Sequence, residues 1–107
     1  MNKKKIKIID VLKNKKNLMT EEDGSFLYSR IKEEIGEGDT EVILDFSQID
    51  TVTTAFINNS ISKFVEEDGI DKVSSYLKIA NLKDNFMKNL INISLEFAQD
   101  KYMSNQK

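Results

Sequence analysis

An α/β fold, with a mixed sheet joined by parallel crossovers under three to four helices, is the architecture this sequence predicts. Three observations carry it. Apolar runs of strand length occur at Lys5–Leu12, Glu41–Phe46 and Leu77–Leu82, and each precedes a segment whose apolar residues recur at helical spacing. Strands that alternate with helices pair in parallel through crossovers. The 107 residues contain no proline, no low-complexity linker and no internal repeat, so a single domain over 1–107 is expected. Residues 1–4 and 103–107 are expected to fray.

The first strand is read over Lys5–Leu12, where Ile6, Ile8, Ile9, Val11 and Leu12 supply the apolar set. Lys13–Asn17 is a polar turn, and Leu18-Met19 either extends the strand or staples the helix that follows. Thr20 is placed to cap that helix, with Glu21, Glu22 and Asp23 as first-turn acids. Its buried face is Leu27, Tyr28, Ile31 and Ile35, and Gly24 falls on the same face. Glycine inside a helix costs roughly 1 kcal/mol relative to alanine, so of a start at Glu21 and one just after Asp23 the later is favoured, the alternative being that Gly24 marks a close backbone approach. The Gly36–Asp39 segment, with Gly36 and Gly38, stops the helix.

The strand Glu41–Phe46 presents Val42, Ile43, Leu44 and Phe46, interrupted by Asp45. An aspartate at a strand end followed by Ser47 is expected to accept hydrogen bonds from turn N–H groups. Thr53 and Thr54 then fall at a helix N-terminus, where capping is expected of them. Projected at ~100° per residue, Phe56, Ile57, Ser60, Ile61, Phe64 and Val65 face inward and Ala55, Asn59, Ser62, Lys63 and Glu66 outward. Gly69 ends this helix, Asp71–Tyr76 forms a short polar helix or turn, and Leu77–Leu82 a further strand. The last helix runs from Lys83 or Asp84 to about Tyr102. Its apolar residues cover half the circumference, which predicts burial within the domain, or failing that an edge, Ile93 and Leu95, that meets a partner.

Composition narrows the function. The chain has no cysteine and no histidine, so thiolate chemistry and the usual neutral-pH acid/base group are missing, and no metal or cofactor site is expected. A catalytic Asp45 would have only Asp50 as a nearby second carboxylate, and no glycine-rich loop is present to wrap a nucleotide phosphate. The expectation is therefore a protein that is not an enzyme. Residues 1–16 hold seven lysines against one aspartate, which leaves −8 on the remainder of a chain of net charge −2. Such an arm, Lys3–Lys5 with Lys7, Lys13, Lys15 and Lys16, could hold nucleic acid. A solvated lysine edge that blocks strand pairing is favoured, because the acidic body repels phosphate backbones. Neither a signal peptide nor a membrane span is evident, and a cytoplasmic location is expected.

Asp45-Phe46-Ser47-Gln48-Ile49 and Val52-Thr53-Thr54-Ala55-Phe56-Ile57-Asn58 resemble the STAS domain, the sulfate transporter and anti-sigma factor antagonist family. They are most similar to its STAS-like branch of unknown function, whose pattern is Asp-Phe-Ser-Gly-Val followed by Thr-Ser-Ser-Phe-x-Asx. The resemblance implies a bacterial regulatory module that binds another protein, such as a histidine-kinase-like ATPase or an anti-sigma factor. Antagonist members are switched by phosphorylation of a serine at the start of this helix. Carried over by position, Thr53 stands for the family aspartate, Thr54 for the first serine, Ala55 for the phosphorylated serine and Phe56 for a glycine. Ala55 has no hydroxyl, so the usual switch is not expected, and phosphorylation of Thr54 is not expected either. The implied partner-binding set is Ser47, Asp50, Thr53, Thr54, Ala55, Asn58, Asn59, Ser62 and Lys63. A small nucleotide- or ligand-binding domain and a basic-arm nucleic-acid binder are the competing readings.

Overall fold

The computed structural model describes residues 2–36 and 39–106. Glu37 and Gly38, part of the expected Gly36–Asp39 stop, lie outside them. Chain order is β1 (Asn2–Lys7), α1 (Ile8–Val11), β2 (Asn17–Leu18), α2 (Glu21–Ile35), β3 (Thr40–Asp45), β4 (Thr51–Val52), α3 (Thr54–Asn58), α4 (Ile61–Asp68), α5 (Ile70–Tyr76), β5 (Leu77–Ala80) and α6 (Asn85–Asn105). The predicted α/β class with parallel crossovers is the one observed. Within it, every strand pair among the described residues is parallel: β1-β3-β5 form one sheet, and β2-β4 form a second, two-stranded one.

β3 lies between β1 and β5 and carries one apolar face. Val42, Leu44 and Phe46 just beyond it are fully buried. β1 is an edge strand, and its exposed Asn2–Lys5 segment pairs with Thr40–Ile43. Four charged or polar side chains along an edge deter pairing with another chain. Residues 2–4, expected to fray, are thus held in the sheet, and α6 continues past the expected Tyr102 to Asn105.

The first strand ends earlier than the sequence predicts. Ile8, Ile9 and Leu12 do enter the core, but from the single turn α1 and its C-cap. An unbroken apolar run satisfies a strand or a helical turn equally well, and packing decides. Of the two starts the sequence offers for α2, the earlier is the one taken, against the preference for the later. Thr20 Oγ1 accepts from Asp23 N–H at 3.1 Å, so the helix begins at Glu21 and Gly24 lies inside it. Gly24 is buried there, with a close neighbour to accommodate.

The helix after Thr53 is broken in two. Asn59 Nδ2 donates to Ala55 C=O at 2.8 Å, and Ser60 Oγ donates to Phe56 C=O at 2.8 Å. Side chains that bond back to the preceding turn compete with the helical ladder, and the chain bends at Asn59–Ser60 before α4 resumes. All six residues projected inward are buried. α6 packs against α4, presenting Met87, Ile91, Ser94 and Ala98.

Candidate functional site

The site grows from the C-terminal end of β3. Asp45 is 2% exposed there, and its Oδ1 accepts from Ser47 N–H at 2.9 Å, Ser47 Oγ at 2.6 Å and Asn81 Nδ2 at 2.9 Å. Lys5 Nζ lies 3.3 Å from Oδ2. Burial by itself would raise the carboxyl pKa. The bonds from Ser47, Asn81 and Lys5 reverse that and hold it well below the usual carboxylate range. Asp45 is thus an ionised staple joining the end of β3 to the turn and to the residue after β5, as the Asp-x-Ser pattern predicts.

The turn itself carries a constraint invisible to a pattern. Gln48 has φ 69°, in the left-handed region, and Asn81 has φ 62°. Asparagine tolerates that region, whereas glutamine does so at a cost of roughly 1–2 kcal/mol. The STAS-like pattern has glycine at this position. Gln48→Gly is therefore expected to leave stability unchanged or raise it by up to about 1 kcal/mol, as read by urea denaturation. A loss of stability would show that the Gln48 side chain contributes contacts that outweigh the strain.

Residues 51–52, read as part of the turn, form β4 and pair with β2. A two-residue ladder is too short to leave periodicity in a sequence. It brings Met19 to the start of α3. Thr53 Oγ1 accepts from Phe56 N–H at 3.2 Å and donates to Met19 C=O at 3.0 Å, so this hydroxyl is fully engaged as a cap.

The nine residues expected to bind a partner do not form one patch. Thr54, Asn58, Asn59, Ser62 and Lys63 border a groove of about 590 Å³ between the α3–α4 bend and α6, whose far wall is Ile93, Phe97 and Lys101. Ser47, Asp50, Thr53 and Ala55 lie outside that groove. Thr54 and Asn58 are exposed, while Ala55 and Asn59 are half-buried. Ser62 corrects the helical projection. It is 2% exposed because α6 covers its side of α4, and its Oγ has no hydrogen-bond partner among the described residues. Lys63 lies with its Nζ 5.1 Å from the centre of the Tyr28 ring, which itself stacks on Phe64 at 4.6 Å. Its charge is therefore directed toward α2.

Of the far wall, the sequence pattern marks only Ile93, as one of the two edge residues with Leu95. Phe86, Ile93 and Phe97 of α6 are exposed, which corrects the expectation that the wide apolar surface of this helix is buried within the domain. Burial takes only the Met87, Ile91 and Ala98 side. The signal was the apolar arc itself, wider than the single face that α3 and α4 cover.

A parallel α/β module with a strand–turn–helix edge, an aspartate-stapled turn and a threonine-capped helix is the class these features define. The family model of the STAS-like domain of unknown function matches residues 23–87, and the chain belongs to that family. The match extends from the first turn of α2 to the first turn of α6. No curated protein and no solved structure matches the chain. Among the described residues, no helix is long and apolar enough to cross a membrane.

Proposed function

We propose that this chain is a non-enzymatic regulatory module of the bacterial cytoplasm that binds another protein, in the manner of an anti-sigma factor antagonist. It docks through the 47–54 turn and the exposed face of the helix that follows, α3 with the first turn of α4, and it does so without the serine phosphoswitch. The observation that carries this reading is the state of the polar groups at the strand ends. The Asp45 carboxylate is taken up by Ser47, Asn81 and Lys5, and the Thr53 hydroxyl by Phe56 and Met19. Neither of these two groups is left free to act on a substrate. Beside them, α3 is five residues long, and so short a helix has little macrodipole to hold a phosphate.

The position at which relatives place a phosphoserine is Ala55, on the half-exposed shoulder between Thr54 and Asn58. A small side chain there permits close approach by a partner, and a phosphate of about −1.5 to −2 charge cannot be added to it. The partner class that fits is a histidine-kinase-like ATPase or an anti-sigma factor. The double variant Ala55→Glu, Lys63→Glu is expected to lose the regulator retained by the wild-type chain in affinity capture, with an unchanged circular dichroism spectrum. Full retention of that regulator by the double variant would place the docking surface elsewhere.

A further inference from the structure

β1 lies at the edge of the three-stranded sheet, and among the described residues no strand pairs with its outer side. Asn2 N–H donates inward, to Asp39 C=O at 3.1 Å. Backbone groups of alternate residues in a strand point to opposite sides. Asn2, Lys4 and Ile6 therefore bond toward β3, and Lys3 and Lys5 turn their N–H and C=O groups outward. The register also sorts the side chains. Lys4 and Ile6 pair with Val42 and Leu44 on the buried face of β3, whereas Lys3, Lys5 and Lys7 share the opposite face with Asp45. Lys3, Lys4 and Lys5 are exposed. Of the lysines on β1, only Lys5 forms an ion pair among the described residues, with Asp45.

We propose that this edge takes up an extended acidic segment of a partner protein as an additional strand beside β1. Its backbone and its charges select that occupant together. Outward N–H and C=O groups at Lys3 and Lys5 present donors and acceptors in alternation, which a peptide backbone satisfies. A nucleic-acid phosphate only accepts, and it would leave both carbonyls unmatched. An anionic membrane is flat, while Lys4 projects from one face of the strand and Lys3 and Lys5 from the other. A second copy of β1 would set lysine against lysine.

The lysines still protect the edge. A neutral strand must desolvate them and a basic one is repelled, so ordinary pairing is deterred. Acids at alternate positions of the incoming strand reverse the sign, because cross-strand pairs of opposite charge stabilise a sheet. β1 contains no residue of the 47–54 turn and lies apart from Ala55, so strand addition and docking at the turn fail separately. Lys5 is left unaltered in the test, since it also holds Asp45.

Titration of an alternating Glu-Val octapeptide into the isotope-labelled full chain at low ionic strength tests this by NMR. Saturable binding is expected, with amide exchange at Lys3 and Lys5 slowed roughly ten-fold or more and Lys4, already bonded to β3, little changed. The double variant Lys3→Glu, Lys4→Glu is expected to weaken binding roughly ten-fold with an unchanged circular dichroism spectrum. N-methylation of alternate peptide amides removes donors without altering charge, and it is expected to abolish binding of the wild-type chain. No binding at millimolar peptide overturns the proposal. Binding that leaves Lys3 and Lys5 exchange unchanged, or that survives N-methylation, overturns strand addition in favour of diffuse attraction between charges. An oligothymidylate that binds more tightly than the peptide overturns the choice of a protein segment as occupant.

Discussion

Gly24→Ala is expected to destabilise the protein by about 1–3 kcal/mol, although alanine is the better helix former. Helix propensity alone predicts the opposite sign, a gain of roughly 1 kcal/mol. The deciding contact lies across the α2–α3 interface. A Cβ on Gly24 would come 2.6 Å from the Phe56 carbonyl oxygen and 2.9 Å from Asn59 Cβ. The nearer neighbour is backbone, so no side-chain rotation relieves it, and α3 must move. Phe56 C=O also accepts the Ser60 hydroxyl at the bend, which ties the displacement to the shape of the site. For a domain of this size, melting is expected to fall by about 5–15 °C. Glu21→Ala, on the exposed first turn of the same helix, serves as a control expected to shift stability within about 0.5 kcal/mol. A more stable Gly24→Ala protein would mean that α2 and α3 are farther apart than described.

Gly24 also illustrates what a sequence conceals. The helical face of α2, the Thr20 cap and the Asp45-to-Ser47 bond are local chemistry, and each is legible from near neighbours in the sequence. The resemblance carried by Asp45–Ile49 and Val52–Asn58 is local in the same sense, and the family match agrees with it. A close approach between α2 and α3 is a property of two segments thirty residues apart. Nothing in the spacing of Gly24 separates a late helix start from a tight crossing. Ser62 fails for a related reason. A projection assumes one straight helix facing one layer, but the Asn59–Ser60 bend and the cover supplied by α6 change what outward means. α1 escaped notice because Ile8, Ile9 and Leu12 satisfy a strand pattern and a helical turn alike. The split of α6 into a buried side and an exposed one depends on how much of it the bent α3–α4 pair covers, which composition does not state.

Asp45→Ala is expected to cost about 1–3 kcal/mol at neutral pH, because it removes a buried, ionised acceptor and leaves the Ser47 and Asn81 donors without their partner. The competing source of stability is the Lys5 ion pair. The Lys5 side chain is 61% exposed, and solvent-screened pairs of that kind contribute about 0.2–1 kcal/mol. The bonds from Ser47 and Asn81 therefore dominate, and Lys5→Ala is expected to cost well under half as much as Asp45→Ala. The pH dependence follows from the sign of the shift. The folded-state pKa of Asp45 is depressed below the value of about 3.9 for an unfolded aspartate, so its contribution is complete above that pH. It is lost as the pH falls below about 4 toward the depressed folded value. Asp45→Asn keeps the shape but cannot titrate. Its stability is expected to be lower than wild type at pH 7 and to converge on it in acid. Urea denaturation between pH 7 and pH 3 measures both effects. Parallel acid limbs for the wild type and Asp45→Asn, or a change within about 0.5 kcal/mol for Asp45→Ala, would reduce the staple to an ordinary surface contact. Because Asp45 fixes the Ser47–Asp50 turn to the ends of β3 and β5, the same substitution is expected to weaken partner capture even where the domain remains folded. Loss of binding without unfolding would distinguish a turn held in shape for docking from one held only for stability.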